Sequence, residues 1–219
     1  VLSIATMVNR PLFSKSKIPL HCGPFRDSYV LLPVCESGGI SLEWFKNNFF
    51  ENVPYSEIDK VAMQRKSDRQ LTFLPYLTGI SAPDFNEYAS GVFFGIKATH
   101  DRYDFALAIM EGVSCLLRKN IDYIKSSGIN VERIISTGGG AKSALWSQLK
   151  ADFTNHPVAI PHNKEAACLG AAIIGSVCSG FFNNYEEAIS ACVSTEKYYT
   201  PSTDRTGYEA KYNLFNELY

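Results

Sequence analysis

The sequence lacks an excess of charge of either sign. Its 219 residues include 21 lysines and arginines and 22 aspartates and glutamates, for a formal net charge of −1. Proteins that bind nucleic acid or anionic membranes through electrostatics usually carry a basic excess, so neither partner is expected. With 46% hydrophobic and 20% charged residues, the composition is typical of a globular chain that can bury a core.

Cysteine and histidine motifs for metal binding are also lacking. The six cysteines show no Cys-x-x-Cys spacing, and the four histidines are scattered without a His-Glu-x-x-His motif. No metal site is therefore predicted, and buried reduced thiols in a cytoplasmic protein are the simplest interpretation of the cysteines. A Gly-x-Ser-x-Gly elbow is absent too, which removes the usual local sign of a serine hydrolase.

No hydrophobic run is long enough to cross a bilayer. The longest uncharged apolar stretch, residues 166–178, is interrupted by Gly170 and Gly175 and falls short of the roughly 20 residues that a spanning helix needs. Neither a membrane span nor a signal peptide is expected. The chain begins on an apolar stretch without an initiator methionine, and we expect it to be part of a longer protein.

The first half of the chain predicts short strands and two helices. Four apolar runs predict strands, at residues 1–8, 29–35, 72–77 and 91–98. The turn-rich segment 78–90 is a candidate rim between the last two. Helical spacing of apolar residues predicts two short helices between residues 41 and 62, separated at Pro54.

The second half predicts a long helix followed by alternating strands and helices. The long helix covers residues 102–126, with Asp101 as its N-cap and Gly128 closing it in the left-handed conformation. Further strands are predicted at 133–136 and 158–160, and further helices at 143–153, 165–179, 185–192 and 208–218. This alternation is typical of parallel α/β packing, and a single mixed α/β domain is the simplest division.

The strongest candidate for chemistry is the segment Gly138-Gly139-Gly140-Ala141-Lys142-Ser143 between a strand and a helix. Glycines let the backbone approach a ligand, and free N–H groups at a helix start favour an anion or a polar ligand edge. A plain strand-to-helix turn is the alternative. The segment is not a P-loop, because Ser136 and Ala141 stand where glycines are required, and Ser143 replaces the third glycine of a dinucleotide fingerprint. Spacing alone leaves the ligand class open.

Four segments between residues 71 and 172 form an ordered set. They are Leu71–Gly79; Gly91–Ile96 with Asp104-Phe105 and Ala108–Gly112; Gly138–Ser143 with Trp146, Gln148, Ala151 and Asp152; and Glu165 with Leu169–Ala172. Together they resemble the C-terminal domain of the FGGY family of carbohydrate kinases, most of all the xylulose kinases. A weaker match at residues 2–7 falls where the family has a phosphate-binding hairpin, with Ala5 in place of the usual glycine.

The resemblance implies an actin-like, ribonuclease-H-like ATPase domain, α/β with a mixed sheet flanked by helices, over residues 1–219. In such kinases two domains close over Mg-ATP and a sugar. The general-base aspartate belongs to the N-terminal domain, so no catalytic residue is expected in this chain, and Mg²⁺ would be held mainly by the phosphates and that other domain. The nucleotide-binding residues that the resemblance implies are Thr6, Gly95, Gly139, Gly140, Ala141, Lys142 and Ser143.

The implied function is that of the nucleotide-binding half of an ATP-dependent sugar kinase. The implied partners are ATP or ADP and, together with the N-terminal domain, a sugar; whether the chain forms a homodimer is left open. D-xylulose is the first expectation for the sugar, with rhamnulose, fuculose, ribulose and gluconate as alternatives. A non-catalytic actin-like interaction module and a dinucleotide-dependent enzyme are the remaining alternatives.

Overall fold

The computed structural model describes residues 2–12, 17–68 and 70–219. Its strands are β1 (Leu2–Ser3), β2 (Thr6–Val8), β3 (Leu20–Cys22), β4 (Tyr29–Leu31), β5 (Val34–Cys35), β6 (Thr72–Leu74), β7 (Val92–Phe94), β8 (Ile134–Ile135), β9 (Val158–Pro161) and β10 (Thr195–Tyr199). Its helices are α1 (Gly39–Phe49), α2 (Tyr55–Met63), α3 (Arg102–Ser126), α4 (Ala144–Thr154), α5 (Ala166–Cys178), α6 (Tyr185–Cys192) and α7 (Thr206–Glu217), with a 3-10 turn at Gly139–Ala141.

The strands form several small sheets rather than a single continuous one. An antiparallel sheet has the order β2-β4-β3, and two further antiparallel pairs join β1 to β5 and β6 to β7. The sheet nearest the carboxyl terminus has the order β10-β9-β8. In it β8 runs parallel to β9, with Ile134 opposite Val158, as the alternation of elements predicts, and β10 runs antiparallel, so this sheet is mixed.

The apolar run predicted as one strand over residues 1–8 is divided between two sheets. Leu2–Ser3 pairs with β5 and Thr6–Val8 pairs with β4, while Val1 lies outside the described residues. Pro33 separates β4 from β5 and has no N–H to donate to a ladder. The chain therefore crosses from one partner to the other at Ile4, whose N–H donates to the Pro33 carbonyl at 3.2 Å.

Strands β6 and β7 are shorter than the strands predicted at residues 72–77 and 91–98, again for local reasons. β6 ends at Leu74, directly before Pro75. β7 ends at Phe94 because Gly95 turns the chain with a φ of +79°. The sequence does not predict β10: most of its residues are exposed at the sheet edge, so it carries no alternating apolar pattern.

The long helix α3 has the predicted bounds and forms the centre of the main core. Its N-cap Asp101 accepts hydrogen bonds from the N–H groups of Tyr103 and Asp104, and the Asp104 carboxylate accepts one from the Asp101 N–H, which closes a capping box. Gly128 follows its end with a φ of +82°. Helices α1, α2, α4 and α7 and strand β6 pack around α3, so most of its surface is buried.

Helix α5 is the most apolar helix, yet it is largely exposed. Of its residues only Ile173 is buried, and its principal neighbour is α6. No helix in the three described ranges combines the length and the apolar character that a bilayer crossing needs.

Candidate functional site

Strand β8 leads into the glycine loop, and the loop leads into α4. Gly138 has a φ of +75° and a ψ of −165°, a conformation that residues with side chains rarely adopt. The N–H groups of Ala141 and Lys142 then donate to the carbonyls of Gly138 and Gly139 at 3.2 and 3.1 Å, which forms the 3-10 turn. A Cβ atom at Gly138 or Gly139 would meet nothing within 4 Å, so the space beside this backbone is open to a ligand.

The two residues after the glycines face in different ways. Ala141 is buried and packs its methyl group into a small apolar cluster with Ala151, Val158 and Ile160. Any contact between Ala141 and a ligand must therefore use its backbone. Lys142 is exposed, so its side chain is free to meet a ligand at the edge of the loop.

Ser143 closes the loop by capping α4. Its Oγ accepts a hydrogen bond from the Trp146 N–H at 3.0 Å, which satisfies one of the free donors at the helix start. The carboxylate of Asp59, on α2, lies close to this hydroxyl. Burial raises the pKa of Asp59 above its usual range, although the contact with Ser143 opposes that shift. Ser143 therefore has a structural role at the start of this helix.

Helix α4 is held in place by residues of the same motif. The Trp146 Nε1–H donates to the Met110 carbonyl of α3 at 3.0 Å. Gln148 Nε2 donates to the Thr200 carbonyl at 2.8 Å and to Asp152, and Asp152 accepts from the Ser202 N–H at 2.7 Å. These bonds fix α4 to α3 on one side and to the segment after β10 on the other.

A cleft of about 460 Å³ lies beside β8. One wall is made by residues 2–6 and the other by residues 133–137, and the side chains of Leu117, Ile121 and Ile124 on α3 line it as well. The structure thus brings Thr6 to a cleft that reaches Thr137, the residue before the glycine loop. Ala5 also lines this cleft. Its φ is not positive, so the backbone conformation at this position does not require a glycine.

Gly95 lies at the end of β7. A Cβ atom there would stand 2.3 Å from the Gln70 carbonyl oxygen, so glycine is required by the close approach of two backbone segments. Within the part of the chain that the structure describes, Gly95 does not line the cleft, and its role in nucleotide binding stays a prediction. Nearby, the Lys97 ammonium bonds Asp68 at 2.7 Å and holds the pKa of that carboxyl well below its usual range.

Lys150 is a residue of this region that the sequence analysis does not identify. It is 7% exposed, and its Nζ donates to Ser136 Oγ at 3.0 Å and to the Gly140 carbonyl at 3.4 Å. It also lines the cleft. The available signal is its spacing: Lys150 stands one helical turn after Trp146, on the face of α4 that the tryptophan marks as buried.

The sequence of this chain is similar to those of known carbohydrate kinases. A sequence profile described as the FGGY family of carbohydrate kinases, C-terminal domain, matches residues 3–179. A xylulose kinase of Staphylococcus epidermidis is 33% identical over 195 residues, which cover 88% of this chain and 39% of that protein. A gluconokinase of Bacillus subtilis is 30% identical over 216 residues, which cover 92% of this chain and 42% of that protein.

The fold is likewise similar to that of solved kinases. The crystal structure of a xylulose kinase from Brucella ovis superimposes with a TM-score of 0.89 at 23% identity, over 99% of this chain and 45% of that one. This confirms the predicted fold class, an α/β domain of the actin-like type with a mixed sheet flanked by helices. The chain spans 39% to 42% of the length of the two curated relatives named above.

Proposed function

The chain belongs to the FGGY family of carbohydrate kinases, and from this we propose that it is the nucleotide-binding C-terminal half of an ATP-dependent sugar kinase. One observation carries the proposal: an open glycine backbone stands between the end of a strand and the start of α4, next to the cleft that Thr6 lines. Backbone N–H groups at such a helix start favour an anionic or polar ligand. The adenosine of ATP would lie along Gly139, Gly140 and Ala141, with Lys142 at its edge and the phosphates towards Thr6.

The chemistry of the proposed reaction explains why half of such an enzyme would bind nucleotide without transferring phosphate. Phosphoryl transfer depends on in-line positioning of the acceptor hydroxyl and on neutralising the charge of the phosphates. The part of the relatives that this chain does not cover would supply the base for the sugar hydroxyl and most of the Mg²⁺ contacts. When bound, Mg²⁺ would neutralise phosphate charge. Closure of the two parts would exclude water from the reaction.

The sugar is proposed from the relatives alone. The relatives include both xylulose kinases and gluconokinases, and the xylulose kinase named above is the more similar of the two by percentage identity. D-xylulose is therefore our first substrate and D-gluconate the alternative. Parallel assays with the two sugars, on the protein joined to its N-terminal domain, distinguish them. We further propose that the enzyme acts in the cytoplasm, where ATP is available.

The valine variant of Gly139 tests the nucleotide site. A Cβ atom at Gly139 would meet nothing within 4 Å, so we expect the Gly139→Val variant to keep its fold. Because the valine side chain would occupy the space proposed for the nucleotide, we expect the affinity for ADP to fall roughly tenfold or more. Isothermal titration calorimetry of the chain with ADP measures this effect, and thermal melting checks that the fold is unchanged.

Gly175→Val is the matched control, since Gly175 on α5 also has open space around it. It should bind ADP as the unmodified chain does. Equal affinity for ADP in the Gly139 variant and in the control would place the nucleotide elsewhere. Binding of NADH but not of ADP would instead revive the dinucleotide alternative.

Activity provides the second test. The 219-residue chain alone, mixed with Mg-ATP and D-xylulose, is expected to give no sugar phosphate above a protein-free blank. The same chain joined to its N-terminal domain is expected to turn over, because the domain that supplies the base is then present. Coupled detection of ADP measures both. Robust turnover by the chain alone would contradict the division of roles proposed here, and failure of the joined protein with every sugar would favour the interaction module.

A further inference from the structure

A buried lysine connects the glycine loop with the cleft. Lys150 extends from the middle of α4 so that its Nζ lies between Ser136 Oγ, at 3.0 Å, and the Gly140 carbonyl, at 3.4 Å. The same side chain lines the cleft to which Thr6 belongs. A Cβ atom at Gly140 would stand 3.3 Å from this Nζ, which shows how closely the loop rests on the ammonium group.

Within residues 2–12, 17–68 and 70–219, this ammonium group has no carboxylate partner. Among the described ion pairs none involves Lys150, although it is only 7% exposed. The only other charged side chain that lines the cleft, in the described ranges, is Arg133, which is also cationic. A buried charge without a counter-ion is costly, and this cost lowers the pKa of Lys150 to about 8.

Several charged groups on the surrounding elements form ion pairs with residues other than Lys150. Besides Lys150, the charged residues on α4 and on the elements packed against it are Asp152 on α4; Glu57, Asp59 and Lys60 on α2; Arg102, Asp104, Glu111, Arg118, Lys119, Asp122 and Lys125 on α3; Glu196 and Lys197 on β10; and Glu209, Lys211 and Glu217 on α7, with Lys142 after the glycine loop and the phenol of Tyr208 on α7 as further titratable groups. Glu111 pairs with Lys211, Arg118 with Glu209, and Glu196 with Lys164. Burial is the cause of the lowered pKa of Lys150.

We propose that Lys150 is a positioning residue for the nucleotide. Its ammonium group supplies a positive charge that the phosphate chain neutralises, and its hydrogen bonds hold the glycine loop in place. The inference rests on the proposed function, because it assumes that the nucleotide binds along this loop. Beyond that function, it names Lys150 of α4 as the cation that faces the phosphates. A lysine that only supports the loop would affect every ligand of the loop equally, with or without phosphates.

A charged Lys150 beside the phosphates makes the affinity for ADP depend on pH. An anion beside Lys150 favours the ammonium form, so binding of ADP raises the pKa of Lys150 above its value in the free chain. Below pH 8 the group is already charged and the affinity is at its highest. As the pH rises through 8, binding must take up a proton, and the affinity for ADP falls. Adenosine, which has no phosphate, should bind with the same affinity across this range.

Calorimetry with two ligands and two variants tests this role. ADP and adenosine are titrated into the chain between pH 7 and pH 9.5, in buffers of different ionisation enthalpy. Lys150→Met is expected to weaken ADP about tenfold at pH 7, the effect of one charge at moderate distance, and to leave adenosine within twofold. Lys150→Arg, which keeps the charge, is expected to stay within threefold of the unmodified chain for ADP.

The outcomes separate this inference from the proposed function. If the unmodified chain binds ADP but takes up no proton near pH 8.5, or if Lys150→Met weakens ADP and adenosine alike, Lys150 is only a support for the loop and the inference is wrong. If the unmodified chain binds neither ligand, the proposed nucleotide site itself is wrong and the inference with it. Should the methionine variant fail to fold, proton uptake and the pH dependence of the unmodified chain decide alone.

Discussion

Replacing Lys211 with methionine is expected to lower the free energy of unfolding by about 3–5 kcal/mol. Lys211 on α7 donates to the carboxylate of Glu111 on α3, and both side chains are almost fully buried. Its Nζ also donates to the Asp68 carbonyl at 3.0 Å and to Ser67 Oγ at 3.4 Å. Without Lys211 the Glu111 carboxylate stays buried with no cation beside it, which is far more costly than losing an exposed pair.

Urea denaturation of three variants measures this contribution. The double variant Glu111→Met/Lys211→Met removes both charges and should recover most of the loss, because no lone charge is then buried. Lys164→Met is the matched control, since it breaks a pair with Glu196 whose side chains are 33% and 48% exposed. It should cost less than about 1 kcal/mol. A Lys211 variant as stable as this control would show that Glu111 is not buried as an ion.

Adding a single methyl group at Gly112 should be nearly as damaging. Gly112 lies in the interior of α3, where a Cβ atom would stand 2.2 Å from the Phe73 carbonyl oxygen of β6. That oxygen belongs to the backbone of a buried strand, so neither side can move away cheaply. We expect Gly112→Ala to cost about 3 kcal/mol or more, although alanine is the better helix former.

Gly175→Ala provides the comparison within the same chain. Gly175 lies in the interior of α5, and a Cβ atom added there would meet nothing within 4 Å, so alanine should raise stability by up to about 1 kcal/mol. Thermal and urea denaturation of the two variants give the difference directly. Similar small effects in both would mean that α3 and β6 do not approach each other as closely as described.

Local signals account for the parts of the fold that the sequence predicts well. The bounds of α3 follow from Asp101 at one end, Gly128 at the other and helical spacing between them, all of which are local. The two N-terminal strands depend instead on Pro33, in another part of the chain, which decides where their partners end. The pairing of Glu111 with Lys211 joins residues 100 positions apart, and no local pattern indicates it.

The candidate site shows the same division. The glycine loop and its position before α4 are evident from the sequence, because three consecutive glycines are unusual in a plain turn. The sequence does not show which way each residue of the site faces. Ala141 packs its methyl group into an apolar cluster, and Gly95 is a glycine because its backbone passes close to that of Gln70. Lys150 belongs to a helix whose spacing marks it as buried, but its contact with Gly140 depends on how the loop folds back over α4.

The bonds that fix α4 have a mechanical consequence for this part of the fold. Trp146 joins α4 to the central helix, and Asp152 joins it to the chain after β10, so the helix that follows the glycine loop is anchored near both of its ends. We therefore expect α3 and α4 to move together as one body in any domain motion.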